Sequence, residues 1–213
     1  MYNRNIIYME VRMIRNIIFD MGNVLRDFAP IRCILPYVQG EDAHLIREEM
    51  FGKEEWRLLD SGDITYKEAV DRCKRRLPAR LHGALDEIIA HWHEHMPEDV
   101  EMAELAKTLK QNGYRLYLLS NASVRFAEYK DSFEALRNFD GAIVSAFYQC
   151  VKPDERIYRI LFDTYKLDPK ECFFIDDNPD NVDAGRRLGM EGHVFTGDKA
   201  ALRESLQAFG IRV

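Results

Sequence analysis

The chain predicts an α/β fold: a three-layer core with a parallel sheet between helices, and a small helical cap inserted after the first strand. Three observations lead there. Short apolar runs alternate with amphipathic stretches through most of the 213 residues, and repeated βα units of this kind build parallel sheets covered on both faces. One long interval, residues 29 to 96, breaks the alternation and is helical in pattern and rich in charge. Polar residues suited to chemistry fall at or just behind the ends of the apolar runs, where such sheets bind ligands.

The elements follow in order. Asn16 to Asp20 reads as a buried strand, a short apolar run ending in a carboxylate. Pro30 and Pro36 mark the entry to the insert. Helices are expected over about Glu41–Phe51 and Lys53–Leu59, followed by the punctuation Ser61-Gly62-Asp63. Thr65 with Glu68 three residues later forms a capping box, so a helix should run from Tyr66 to about Arg76. Leu85–His95 is a further helix, closed by Pro97.

Strand and helix then alternate. Asp99–Gln111 is an amphipathic helix stopped by Asn112-Gly113, and Arg115–Leu119 is a strand. Ser123–Tyr129 reads as helix, Ala142–Ser145 as strand and Asp154–Tyr165 as helix. Cys172–Ile175 is a strand, Pro179–Leu188 a helix, His193–Phe195 a last short strand and Ala200–Phe209 a terminal helix. This divides the chain into a Rossmann-like core (13–28 and 97–213), a helical cap (29–96) and an N-terminal extension (1–12).

Composition narrows the function classes. An apolar share of 46% and a charged share of 31% describe a globular chain. A net charge of −6 argues against general nucleic-acid binding, which needs a basic surface to release counterions. No apolar run approaches a membrane span of ~20 residues. Cys33, Cys73, Cys150 and Cys172 are scattered with no C-x-x-C pair, the usage of reduced thiols in a cytoplasmic protein. Residues 1 to 12 are polar and mixed, without the apolar run of a signal peptide. The strand pattern begins only after Met13, so we expect translation to start there; the alternative is a short strand or arm on Ile6-Ile7-Tyr8.

Four segments carry the chemistry: Phe19-Asp20-Met21-Gly22-Asn23-Val24, Leu118-Leu119-Ser120-Asn121, Val151-Lys152-Pro153 and Phe174-Ile175-Asp176-Asp177-Asn178. They supply a carboxylate, a hydroxyl, an ammonium and a carboxylate pair, the ingredients of phosphoryl transfer by positioning and electrostatics. Each has a bland reading alone. Asp20 and Ser120 suit turns and helix caps, Lys152 suits a solvated surface, and Gly22 suits a backbone turn.

Together the four resemble the motifs of the haloacid dehalogenase-like (HAD) hydrolase superfamily, and the resemblance covers residues 14 to 198. It implies that Asp20 is a nucleophile forming an aspartyl-phosphate. It also implies that Ser120 and the Asn121 amide bind the phosphate, and that Lys152 holds the charge of Asp20 and the phosphoryl group. Mg²⁺ would be bridged by Asp20, the Gly22 carbonyl and Asp177, with Asp176 a supporting or alternative ligand. The helical interval resembles the cap of the subgroup that inserts it after the first motif. The implied partner is a small phosphorylated molecule.

The first motif departs from the superfamily's commonest form, D-x-D-G-T. Its second Asp, an acid–base group, is Gly22 here, and such a group contributes about 10²–10⁴ in rate. A branch with this same D-x-G-N-V pattern includes bacterial phosphatases of α-glucose 1-phosphate, whose anomeric leaving oxygen needs less help from an acid. Water or a cap side chain could supply the proton. Asn181 falls where many relatives carry another Asp, and the neighbouring Asp180 would point about 100° away on a helix.

Two further functions are kept beside the phosphatase: a non-catalytic binder of phosphorylated ligands or partners, motivated by Gly22, and a 2-haloacid dehalogenase, which needs no metal. His91 and His95, spaced i, i+4, invite a zinc reading but lack a nearby third ligand. Trp56 and Trp92 belong to the cap core or its contact with the main core. Arg72, Lys74, Arg75 and Arg76 read as a solvated face, with attraction of anionic substrates as the alternative.

Overall fold

The computed structural model describes residues 13–213. The N-terminal extension, the arm on Ile6-Ile7-Tyr8 and the question of a start at Met13 lie outside the described residues. Five strands, β1 (Asn16–Phe19), β2 (Arg115–Ser120), β3 (Gly141–Val144), β4 (Cys172–Asp176) and β5 (Glu191–Val194), form one sheet. Its order is β3-β2-β1-β4-β5, and each neighbouring pair is parallel. The order reverses direction beside β1, so the crevice at the strand ends opens where β1, β2 and β4 meet.

The strands are buried on both faces, and their alternation decides which helix each residue meets. Ile17, Phe19, Leu116, Leu118, Phe173 and Ile175 share a cluster with Met102, Leu105 and Leu109 of α6 (Val100–Gln111) and with Leu202 and Leu206 of α10 (Lys199–Ala208). Ile18, Tyr117, Leu119, Ile143 and Phe174 point the other way. They pack on Ile157, Tyr158 and Leu161 of α8 (Glu155–Tyr165) and Ala184 of α9 (Pro179–Arg187). Aspartates or asparagines cap these helices: Asp99 accepts from Met102 N–H, Asp154 from Arg156, Asn178 from Asp180 and Asp198 from Ala200.

The insert holds α1 (Pro30–Ile34), α2 (Gly40–Ile46), α3 (Glu54–Ser61), α4 (Tyr66–Arg76) and α5 (His82–His91). Ile34, Ile46, Met50, Leu59, Leu85 and Ile88 form a separate cluster beneath them. The Thr65–Glu68 capping box is present, each residue bonding the other's backbone. Three residues of the basic run on α4 form ion pairs, Arg72 with Glu54, Lys74 with Asp86, and Arg76 with Glu49 and the buried Glu55, while Arg75 is exposed.

Several boundaries differ from expectation. Pro30–Ile34 forms a short helix that its five residues did not announce. The helix expected over Glu41–Phe51 is α-helical only to Ile46 and finishes as a wide π turn over Arg47–Phe51. Ser123–Tyr129 narrows to α7 (Phe126–Tyr129), the preceding residues closing through three-residue turn bonds such as Phe126 N–H to the Ser123 carbonyl, and the Ser123 hydroxyl meets the Tyr66 hydroxyl at 2.7 Å. The helix expected to reach His95 stops at His91 and tightens into a 3₁₀ turn over Trp92–His95. His91 then bonds Glu94 at 2.8 Å while His95 lies 3.4 Å from the Tyr37 hydroxyl, so the two histidines serve different partners.

Insert and core meet closely at Gly62, which ends α3 at φ +73°. A Cβ there would lie 2.5 Å from the Ala146 carbonyl oxygen. Gly62→Ala should therefore lower stability by about 1–3 kcal/mol. Gly83→Ala, with open space around it on α5, should raise it by roughly 0.5 kcal/mol; urea unfolding of both variants checks the pair.

Candidate active site

The four motif segments converge although the chain separates them widely. Asp20 directly follows β1, Ser120 ends β2, Lys152 lies between β3 and α8, and Asp176 ends β4. At their centre the Lys152 ammonium sits 2.7 Å from Asp20 Oδ1 and 2.6 Å from Asp176 Oδ2. All three are buried. Burial alone would lower the Lys152 pKa, but the two carboxylates outweigh it and hold it above its ordinary value.

Asp176 and Asp177 are neighbours with opposite surroundings. Asp176, the last strand residue, accepts from Lys152, from the Asn178 N–H at 2.8 Å and from Asn181 Nδ2 at 3.0 Å. Its acceptor capacity is spent inside the protein. Asp177, one residue on, faces the cavity and accepts from Asn23 Nδ2 at 2.8 Å. Asn181 thus serves the Asp176 carboxylate, while Asp180 starts α9.

Asn121 binds the Lys152 loop with both ends of its side chain. Its Nδ2 donates to the Lys152 carbonyl at 3.0 Å and its Oδ1 accepts from the Lys152 N–H at 2.8 Å. The side-chain amide is committed to holding the lysine. Ser120 is 1% exposed, and the residues of this segment that line the cavity are Asn121, Ala122 and Ser123.

Gly22 does not take the turn conformation expected of it. Asn23 does, at φ +55°, a region that asparagine tolerates better than most residues. Its side chain then accepts from the Phe28 N–H and donates to Asp177, closing the loop. A Cβ on Gly22 would meet only Phe28 Cβ, at 3.9 Å. Neither backbone nor space therefore requires glycine at 22.

A cavity of about 260 Å³ lies between this floor and the insert. Phe28, Trp56, Trp92 and Tyr129 give it aromatic walls, and Arg26 and Asp60 also line it. Phe28 stacks on Trp56 with ring centres 5.7 Å apart. The buried Tyr129 hydroxyl and Arg26 Nε have no hydrogen-bond partner among the described residues. Trp56 and Trp92 were expected at the cap–core contact, and their part in the cavity wall adds to that. Asp60, Arg26 and Tyr129 carried no signal in the sequence.

The charges call for a cation. Asp20, Asp176 and Asp177 offer oxygens within 4.8 Å of one another, with one ammonium among them. All-oxygen donors with surplus negative charge suit a hard divalent ion such as Mg²⁺. Among the described residues, no such group of three ligands includes His91 or His95. Burial pushes the Asp20 pKa up to about 6; Lys152 opposes the shift and Asp176 adds to it.

Fold and site define a Rossmann-like α/β protein with a buried carboxylate–lysine–carboxylate cluster at the strand ends. The chain belongs to the haloacid dehalogenase-like hydrolases, whose family profile matches residues 14–189. It is 28% identical over 197 residues to a sesquiterpene phosphatase of Aspergillus oryzae, covering 91% of this chain and 95% of that one. It is 27% identical over 195 residues to a D-ribitol-5-phosphate phosphatase of Bacteroides thetaiotaomicron, covering 84% and 90%. It also matches longer proteins in part, spanning 37% of a drimenol cyclase of Aspergillus calidoustus and 26% of mouse bifunctional epoxide hydrolase 2. Among solved structures, a HAD family enzyme of B. thetaiotaomicron in complex with magnesium and inorganic phosphate superposes with a TM-score of 0.69. The two are 22% identical, with 87% and 96% of the chains covered. These likenesses confirm the Rossmann-like core read from the sequence.

A raised Asp20 pKa fixes a sign. In metal-free protein the folded state holds this proton more tightly than the unfolded chain, so stability from this group is full below about pH 4 and is lost as pH rises through about 6. Asp20→Asn should escape that loss. The stability difference between variant and wild type, from urea unfolding in chelator, should grow from pH 4 to 6.5 by on the order of 3 kcal/mol.

Proposed function

We propose that this hydrolase is a Mg²⁺-dependent phosphatase of small phosphomonoesters, working through an aspartyl-phosphate on Asp20. The observation that carries the reading is the Asp20–Lys152–Asp176 arrangement on the floor of a closed-in cavity, with Asp177 beside it. The two phosphatases among its relatives support the reaction class.

In this reading the Asp20 carboxylate attacks phosphorus, and water later releases phosphate from the resulting ester. Lys152 keeps Asp20 aimed and offsets its charge. Asp176 orients Lys152 and stays out of the reaction. Asp20, Asp177 and the Gly22 carbonyl would hold the metal, with Asp176 as a supporting or alternative ligand. Mg²⁺ supplies charge neutralisation at the phosphoryl oxygens when bound. Asn121 belongs to the phosphate pocket through its backbone, its side chain being committed to Lys152, while Ser120, outside the cavity lining, would reach a phosphate oxygen only by a local shift.

The substrate we infer is a sugar or polyol phosphate, with glucose 1-phosphate as the reference compound. A cavity of about 260 Å³ is small, below the range of about 300–1,000 Å³ usual for drug-sized ligands. Aromatic walls suit the C–H face of a sugar as well as a hydrocarbon, and Asp60 in the same lining offers a polar partner to hydroxyls.

The test is phosphate release, with and without Mg²⁺, from glucose 1-phosphate, glucose 6-phosphate, ribitol 5-phosphate, a nucleotide and 4-nitrophenyl phosphate. We expect Mg²⁺-dependent release with one sugar or polyol phosphate preferred, abolished by Asp20→Asn in a protein that still folds. A folded protein that binds Mg²⁺ and releases phosphate from none would leave the ligand-binding function instead.

A further inference from the structure

The leaving oxygen needs a proton that Gly22 cannot give. In an in-line displacement the leaving group departs opposite the nucleophile. With Asp20 on the floor, that direction is toward the insert. The insert presents a carboxyl there: Asp60, near the end of α3, lines the same cavity as Asp20, Gly22 and Lys152. Trp56, one turn earlier on the same helix face, walls that cavity too. Among the described residues, no hydrogen bond or ion pair is formed by the Asp60 carboxyl.

Its backbone, in contrast, is pinned. The Ser145 hydroxyl donates to the Asp60 carbonyl and accepts from the Ala122 N–H at 3.0 Å. One hydroxyl thereby ties the insert to the loop after β2. Two residues on, Gly62 seats the end of α3 against Ala146. Tyr66 bonds Ser123, and the Arg125 guanidinium bonds the Ile89 and Ala90 carbonyls. The carboxyl is held over the site by a supported backbone while its own oxygens stay available.

We propose that Asp60 is the general acid and base of this hydrolase, supplying from the insert the proton transfer that the first motif lacks. As the Asp20 oxygen bonds phosphorus, the bond from phosphorus to the leaving oxygen breaks, and Asp60 gives that oxygen its proton to release an alcohol. Asp60, now a carboxylate, takes a proton from the water that attacks the aspartyl-phosphate. The Asp20–phosphorus bond then breaks, phosphate leaves, and both aspartates return to their starting state.

The protonation required is the one the surroundings favour. Burial first, and then the charge of Asp20, hold the Asp60 carboxyl well above the ordinary carboxylate range, with Lys152 opposing. The larger cause, burial, does not depend on the charge of Asp20. A working acid also widens the substrate range from anomeric phosphates to ordinary alkyl esters, since the leaving alkoxide no longer departs unprotonated.

This inference rests on the phosphatase reading, and the experiment separates the two. Wild type, Asp60→Asn and the double variant Gly22→Asp/Asp60→Asn are compared on 4-nitrophenyl phosphate and on ribitol 5-phosphate. For Asp60→Asn we expect kcat/KM on the alkyl ester to fall by about 10²–10⁴, and on the aryl ester by less than about tenfold. A burst of nitrophenolate should appear, because the second step has lost its base. Gly22→Asp, whose Cβ would meet only Phe28 Cβ at 3.9 Å, should recover part of the alkyl activity. In wild type, kcat/KM should change little across aryl phosphates of rising phenol pKa; a steep fall there, which needs no variant, overturns the proposal. Equal loss on both esters, or loss on neither, also overturns it while leaving the phosphatase intact. A wild type that hydrolyses neither ester overturns both.

Discussion

One ammonium shared by two buried carboxylates holds this site together. Taking Lys152, Asp20 and Asp176 out of water costs several kcal/mol per ion, and only close pairing with full hydrogen bonding offsets it. The surroundings meet that demand. Asp176 is saturated by Lys152, Asn181 and the Asn178 backbone, and Asn121 clamps the Lys152 backbone to the end of β2. Three strands and two loops are thereby locked in register around a single side chain. What remains is excess negative charge on Asp20 and Asp177, both facing the cavity. A buried carboxylate site short of positive charge suits a cation.

The chemistry divides between two layers. The sheet supplies charge: Asp20, Ser120 and Asp176 sit at or directly after strand ends, where register fixes them, with Lys152 and Asp177 beside them. The insert supplies shape: Trp56 and Trp92, with Phe28 from the core loop, wall a small cavity above the charged floor. Ser145, Ser123 and Arg125 join the layers through hydrogen bonds to backbone or hydroxyl groups of the insert. Gly22 takes its meaning from this division. A Cβ would fit there without clash, so the turn does not demand glycine.

Much of the fold was legible because local rules settled it. Thr65 and Glu68 cap α4 as their spacing predicts, and Asp99 and Asp154 begin helices as short acceptors should. Misread places are those where a distant partner overrode local preference. Ser123 reads as a helix start but bonds Tyr66, 57 residues away. His91 and His95 have helical spacing, yet the chain tightens between them and sends each to its own partner. The turn offered as one reading of Gly22 falls on Asn23, whose side chain is held by Asp177 at the end of the neighbouring strand.

By itself the sequence determined which residue types stand at the ends of apolar runs, and hence that a carboxylate, a lysine and an acidic pair would gather at one edge of a parallel sheet. Periodicity and capping act over a few residues, so they can be read from a few residues. The tertiary structure decided what those groups do. Strand alternation turned Asp176 inward and left Asp177 to the cavity, a distinction invisible in two identical letters. Packing of α3 against the core brought Asp60 into the cavity of Asp20, and the same enclosure placed Tyr129 and Arg26 in its lining. Such proximities depend on how whole elements dock, and no local pattern along the chain encodes them.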